Sequence, residues 1–283
     1  MQNPLWRRVL LGAATVLAAA AAPVLVAAPA QAVPGRVVVT VSTAHDSSSP
    51  KGLLATCPAG TVPLGGGGRV TTNDPGITVV QNNPTGTGWV FAAIEQGAGT
   101  AAAWSFTVWA VCAPAPAGYQ VIQANGSITP PVSAVATCSA GRKLTGAGGT
   151  LDTPLGDNAR VIEIVRPNAT LTSVVVTATL DPSAISGPAS NNMTAYAVCI
   201  NAVPGQQLVT ATSPMDSADK TVSATCPFPT VPHGVGAALR NGDGRVNLLT
   251  LDPHVNPAVV AARENASGQP ENWGLSTFAI CLR

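Results

Sequence analysis

The sequence predicts an all-β protein made of three tandem repeats, each stapled by one disulfide. Three observations carry this reading. First, the block Ala55-Thr56-Cys57 returns as Ala136-Thr137-Cys138 and as Ala224-Thr225-Cys226. Second, eight and ten places past each of these cysteines stand Gly65 and Gly67, Gly146 and Gly148, Gly234 and Gly236. The next position is Gly68, Gly149 and Ala237. Third, each unit closes on an aromatic-Ala-[Val/Ile]-Cys block: Trp109-Ala110-Val111-Cys112, Tyr196-Ala197-Val198-Cys199 and Phe278-Ala279-Ile280-Cys281. Matched blocks in matched order are the signature of a repeat architecture.

In chain order, residues 1–32 read as a secretory leader. Arg7 and Arg8 supply its positive end, an Ala/Val/Leu-rich stretch runs from Val9 to Ala28, and Ala30-Gln31-Ala32 is a small-x-small cleavage site. The apolar stretch is long enough to span a bilayer, but Pro23 and Pro29 interrupt it. Val33 is thus the expected first residue of an exported, extracellular chain. From Glu95 to Arg142 no charge intervenes, yet Gly, Pro, Ser, Thr, Gln and Asn break the stretch throughout, so no membrane span is expected in the mature chain. Arg outnumbers Lys 11 to 3, and Ala, Gly and Pro abound, a composition expected of a GC-rich bacterial genome.

The repeats follow as 33–117, 118–204 and 205–283. Each opens on a related strand: Gly35-Arg36-Val37-Val38-Val39, Gly118-Tyr119-Gln120-Val121-Ile122 and Gly205-Gln206-Gln207-Leu208-Val209. Strands are expected in repeat 1 at Arg36–Ser42, Gly52–Cys57, Gly67–Thr71, Ile77–Gln81, Trp89–Glu95 and Trp104–Cys112. Turn clusters such as Asn73-Asp74-Pro75-Gly76 separate them. Repeat 2 matches at Arg160–Val165, Ser173–Leu180 and Met193–Cys199, and repeat 3 at Arg245–Leu251, Ala258–Arg263 and Leu275–Cys281. Along the closing strand of repeat 1, Trp104, Phe106, Val108 and Ala110 share a face with Cys112, because side chains alternate with period two. That strand should begin half-exposed and end buried on both sides.

Six cysteines allow 15 connectivities, and the repeat favours the internal scheme: Cys57 with Cys112, Cys138 with Cys199, Cys226 with Cys281. Each bridge closes a loop of about 55–60 residues and would add about 4 kcal/mol by chain entropy. Zinc is disfavoured, since there is no C-x-x-C and the three histidines do not recur. The architecture is then either three small sandwiches in a row or three sheets around a pseudo-threefold axis, in the manner of a β-prism; spacing does not choose.

Composition removes several function classes. Lys+Arg is 14 and Asp+Glu is 13; without Arg7 and Arg8 the balance is 12 against 13. No basic stripe exists for nucleic acid, nor a polybasic membrane-surface patch. The Gly65–Gly68 run lacks the helix that a phosphate loop requires, and reads instead as glycine inside a strand where another backbone approaches closely. His45, His233 and His254 stand in no catalytic motif and read as turn or surface residues, while Glu95, Glu163, Glu264 and Glu271 are scattered. No catalytic residue, metal ligand or cofactor is assigned.

Aromatics are the remaining clue to binding. Trp104 and Trp273 stand eight places before their closing cysteines, where repeat 2 has Asn191, and Trp89 opens another strand. Exposed indoles stack on sugar rings, so Trp89, Trp104, Trp273 and the matched Asn191 are the candidate ligand-binding residues. Trp109, Tyr196 and Phe278 read as core. The Asn in repeat 2 implies two sugar sites, not three. The expected function is lectin-like, non-enzymatic binding of glycans or cell-envelope polymers, with avidity from repetition. The alternative is a structural or adapter subunit that meets an extracellular protein partner through strand edges or a flat uncharged face.

The Ala-Thr-Cys-Pro-Ala-Gly block, the Gly65-Gly66-Gly67-Gly68 run and the Trp109-Ala110-Val111-Cys112 closure resemble repeats of secreted actinobacterial proteins of uncharacterised function. The resemblance covers nearly all of the mature chain and implies location and architecture more than mechanism. Repeat 3 departs from it: Cys226-Pro227-Phe228-Pro229 lacks the turn glycine, so its turn should differ.

Overall fold

In the computed structural model, which describes residues 33–97, 99–126, 132–151, 160–182 and 192–283, every regular element is a strand. Residues 1–32, read as a leader, and Asn191 lie outside the described residues. Repeat 1 forms β1 (Val37–Ser42), β2 (Lys51–Thr56), β3 (Val62–Thr71), β4 (Ile77–Pro84), β5 (Gly88–Glu95) and β6 (Ser105–Ala113). Repeat 2 forms β7 (Gln120–Asn125), β8 (Val132–Thr137), β9 (Arg142–Leu151), β10 (Arg160–Pro167), β11 (Ser173–Leu180) and β12 (Met193–Asn201). Repeat 3 forms β13 (Gln207–Thr212), β14 (Lys220–Ala224), β15 (Val231–Arg240), β16 (Val246–Asp252), β17 (Ala258–Glu264) and β18 (Gly274–Leu282).

The strands build three six-stranded sheets, ordered β1-β6-β3-β16-β17-β14, β13-β18-β15-β10-β11-β8 and β2-β5-β4-β9-β12-β7. Each sheet joins three strands of one repeat to three of another, and the exchange closes: repeat 1 shares with repeats 2 and 3, and these share with each other. The two architectures left open by the sequence are thereby separated. Three independent sandwiches in a row would keep each sheet within one repeat; the observed ring has a pseudo-threefold axis. In keeping with closure, the Val33 N–H donates to the Arg283 carbonyl oxygen, so the start of repeat 1 lies against the end of repeat 3.

Each repeat nonetheless encloses apolar side chains between its two half-sheets. Ile77, Trp89, Phe91, Trp104, Phe106 and Val108 form one such cluster, and Val235, Leu248, Leu251, Val260, Trp273 and Leu275 another. The third gathers repeat 2 residues around Leu144, Met193 and Ile200, with Leu64, Ile280 and Leu282 added from the neighbouring repeats. The disulfides Cys57–Cys112, Cys138–Cys199 and Cys226–Cys281 are formed as the spacing predicts, with Cα atoms 5.7, 5.9 and 5.7 Å apart. Each ties the end of the second strand to the sixth, and these two strands belong to different sheets. The bridge therefore staples the two sheets together at every corner.

The glycines explain how three backbones meet. β3, β9 and β15 carry one bulged residue each, at Leu64, Thr145 and His233. A Cβ added to Gly65 would lie 2.0 Å from the His233 carbonyl oxygen; on Gly146, 2.5 Å from that of Leu64; on Gly234, 2.5 Å from that of Thr145. These cyclic contacts surround the axis. The second glycine serves the exchange between repeats: Cβ atoms on Gly67, Gly148 and Gly236 would lie 1.8, 2.2 and 2.3 Å from the carbonyl oxygens of Leu251, Asn82 and Val165. Only a residue without a side chain permits such approach. The turn after the first cysteine also behaves as expected. Gly60 and Gly141 have φ of +80° and +77°, a conformation closed to Pro229 because its ring holds φ near −65°.

Candidate functional site

The tryptophans proposed as stacking platforms are core residues. Trp89, Trp104 and Trp273 are fully buried, which corrects the expectation that they meet a sugar: a ring with no exposed face cannot stack on a ligand. A buried indole needs a partner for its N–H, and each has one. Trp89 Nε1 donates to Asn82 Oδ1 (2.7 Å), Trp104 Nε1 to Glu95 Oε1 and Trp273 Nε1 to Glu264 Oε1 (both 3.0 Å). Lys51 Nζ lies 4.8 Å from the Trp104 ring centre, and Lys220 Nζ 4.3 Å from that of Trp273. Lys51 also pairs with Asp46, and Lys220 with Asp216. Lys51 and Ser48 together hold the Asp46 carboxyl below the usual carboxylate range. Trp109, Tyr196 and Phe278, read as core, instead sit on the sheet face opposite the clusters; Trp109 is buried there, and the other two are half-buried.

The same glutamates reach further. Glu95 Oε2 accepts the Thr100 N–H (3.0 Å) and Glu264 Oε2 the Gln269 N–H (3.1 Å). Each therefore anchors the loop that follows its own strand. Immediately after Glu95, Leu180 and Glu264 come Gln96, Asp181 and Asn265, one from each repeat. These three matched positions converge. Gln96 Nε2 donates to Asp181 Oδ2 (2.9 Å), and Asn265 Nδ2 reaches the same oxygen at 3.3 Å. Asn247 Nδ2 in turn donates to Gln96 Oε1 (2.6 Å) and to the Pro75 carbonyl oxygen (3.1 Å). Around them opens a cavity of about 340 Å³, lined also by Asp74, Gly97, Gly99 and Thr100. The sequence reading missed this site, because no motif marks a contact made by one residue from each of three distant strands. The repeat alignment held the only signal: three polar residues at one matched position.

A second polar cluster spans the seam between repeats 1 and 3. Arg69 Nη2 pairs with Asp252 Oδ2 at 3.0 Å, and His254 Nδ1 bonds the other carboxylate oxygen. The His254 ring stacks on Trp109, with centroids 4.4 Å apart and planes 8° from parallel. Arg36 Nη2 donates to the Pro232 and His254 carbonyl oxygens. Every one of these links joins a residue of repeat 1 to repeat 3 or supports such a link, so the cluster clamps the seam.

Two titratable groups are more buried than the sequence suggested. His233, read as a turn or surface residue, is a bulge residue of β15 with no exposed area. Burial, with Arg36 nearby, pushes its pKa down to about 4. Glu163 of β10 accepts the Gly244 N–H across the repeat 2–3 boundary at 2.7 Å. Burial raises its carboxyl above the ordinary range.

Among the described residues, no three His, Cys, Asp or Glu side chains gather as a metal site, and no helix is long and apolar enough to cross a membrane. Three disulfides are in keeping with an extracellular or otherwise oxidising environment. Compared with known proteins, the chain matches no family model and no curated sequence.

Proposed function

We propose that this chain is a secreted, non-enzymatic, lectin-like protein that binds glycans or cell-envelope polymers through one composite site, the cavity walled by Gln96, Asp181 and Asn265. The carrying observation is their convergence from matched positions of all three repeats. Planar amides and a carboxylate, beside glycine backbone and the Thr100 side chain, offer paired donors and acceptors for vicinal hydroxyls. The reading differs from stacking in a definite way: hydrogen bonding replaces the indole platform, and one asymmetric site replaces two.

The test is calorimetric titration of the exported chain with neutral and wall-derived oligosaccharides. Asp181→Ala should weaken binding at least tenfold, while Trp89→Phe, which keeps a buried aromatic side chain at a position away from the cavity lining, should leave it unchanged. A wild-type protein that binds no glycan, or an Asp181→Ala variant that binds as wild type, overturns the reading.

A further inference from the structure

The charge of the composite cavity narrows what can enter it. Two carboxylates wall it, Asp74 and Asp181, and among the described residues no Lys, Arg or His lines it. The stretches outside the described residues, 98, 127–131, 152–159 and 183–191, contain no Lys, Arg or His either. Glu95 adds a third carboxylate beside the cavity, where it accepts the Thr100 N–H. Arg263 comes near, but its Nη2 donates to the Thr72 and Asp74 carbonyl oxygens, and its side chain is not part of the lining. The hydrogen bonds point the same way. Gln96 and Asn265 meet Asp181 as neutral amides, which orient the carboxylate and bring no countercharge of their own. Asn265 Nδ2 spends its two protons on Asp181 and the Gly244 carbonyl oxygen, and Asn247 Nδ2 spends its two on Gln96 Oε1 and the Pro75 carbonyl oxygen. The Gly76 and Gly99 N–H groups also turn back on the protein, to Asp74 Oδ1 and the Gln96 carbonyl oxygen. The wall thus consumes many of its own donors and keeps its negative charge.

From this arrangement we infer that the cavity selects amino sugars: one sugar ring carrying a free, protonated amine, with the ammonium directed at Asp181 and Asp74. The inference rests on the glycan reading above and adds the substrate class. A carboxylate or phosphate entering here would meet like charge while losing water, whereas an ammonium meets opposite charge and fills the shortage of donors. N-acetylation removes that attraction, and a uronic carboxylate reverses it. The size of the cavity favours a sugar over a bare cation. At about 340 Å³ it lies at the lower end of small-molecule pockets, room for a ring, while an inorganic ion would leave most of the space to water.

Calorimetric titration of the exported chain tests this, with glucosamine oligosaccharides, their N-acetylated counterparts of equal length, uronic-acid oligosaccharides and spermidine, at a pH where the amines are protonated. The free-amine series should bind at least tenfold more tightly than the N-acetylated one, and the uronic acids most weakly. That ratio should fall at least threefold in Asp74→Asn, which keeps an oxygen for the Gly76 N–H, and at least as far in Asp181→Asn. Circular dichroism checks that both variants fold, and the wild-type ratio decides the matter even if one does not. N-acetylated or acidic oligosaccharides that bind as tightly as the free amines overturn the inference and leave the glycan reading standing. Spermidine bound as tightly as the amino sugars overturns it too, since charge alone would then suffice. A ratio unchanged in both folded variants places the selectivity outside this cavity and does the same. A chain that binds none of the sugars overturns the glycan reading, and this inference with it.

Discussion

Repeats 1 and 3 differ from repeat 2 in a set of residues that change together. In the outer two, a lysine at the start of the second strand (Lys51, Lys220) covers a buried tryptophan, and a glutamate at the end of the fifth strand (Glu95, Glu264) accepts its indole proton. By strand register the repeat 2 positions are Val132 and Leu180, and Asn191 replaces the tryptophan in the sequence. Val132 is fully buried and Leu180 is 48% exposed. With no indole to satisfy, neither charge has a role, and keeping a lysine buried without its partners would be costly. The tryptophan, lysine and glutamate thus form one energetic unit, present twice and replaced as a whole once.

A parallel exchange of size runs through the glycine strands. Gly66 leaves room for Trp89, since a Cβ there would lie 2.3 Å from the indole. The matched pairs are Ala147 with Val174 and Val235 with Ala258. As the residue on one strand grows, the other shrinks, as expected of a close-packed interior. Gly68 and Gly149 likewise clear Phe91 and Val176. In repeat 3 the methyl of Ala237 is accommodated in the same cluster as Val260.

The sharpest way to break the comparison is at positions where the repeats do not differ. Gly67→Val and Gly148→Val should both abolish folding, because each places a side chain into a neighbouring repeat's backbone. Expression with circular dichroism and a free-thiol assay checks this, and a folded Gly148→Val protein would show that repeat 2 is held less tightly.

Next in size, Trp104→Ala should cost about 3–5 kcal/mol, measured by denaturant unfolding. The combined Lys51→Val, Glu95→Leu, Trp104→Asn change, which gives repeat 1 the repeat 2 set, should cost less than the three single changes added together. Additive costs would dissolve the unit.

His233 gives a pH signature that Leu64 and Thr145 at the matched positions do not. Its pKa is lower folded than unfolded, so its stabilising contribution is present above about 6.5 and is lost as pH falls towards about 4. Complete loss amounts to roughly 3 kcal/mol. His233→Leu, borrowing the repeat 1 residue, should flatten acid unfolding across that window.

Glu163 has the opposite sign. Its raised pKa makes its contribution greatest below the ordinary carboxylate range and lost as pH rises through the folded value. Glu163→Gln keeps an oxygen for the Gly244 N–H and should remove this slope, so that the variant gains stability relative to the wild type as pH rises. Thermal unfolding of both proteins from pH 4 to 8 measures it; curves that stay parallel would place Glu163 in a wetter setting.

Strand positions and cysteine pairing were legible in the sequence, because both follow from local periodicity and from the same spacing appearing three times. So was the meaning of the glycine runs: close backbone approach, not phosphate binding. Which backbone approaches was not legible, since alternation with period two is the same whether β3 borders a strand of its own repeat or, as found, β16 of repeat 3. The face carrying Trp104 was readable from alternation, but its burial depended on Glu95 and Lys51, whose proximity arises only when β2, β5 and the bridge at Trp104 come together. The candidate site shows the same division most clearly. Gln96, Asp181 and Asn265 are ordinary polar residues at strand ends, far apart in the chain. The sequence alone determined the threefold unit, its strands and its disulfide framework. The ring closure, the burial of the tryptophans and the cavity on the axis were decided by tertiary structure, because each depends on contacts between residues that no local pattern links.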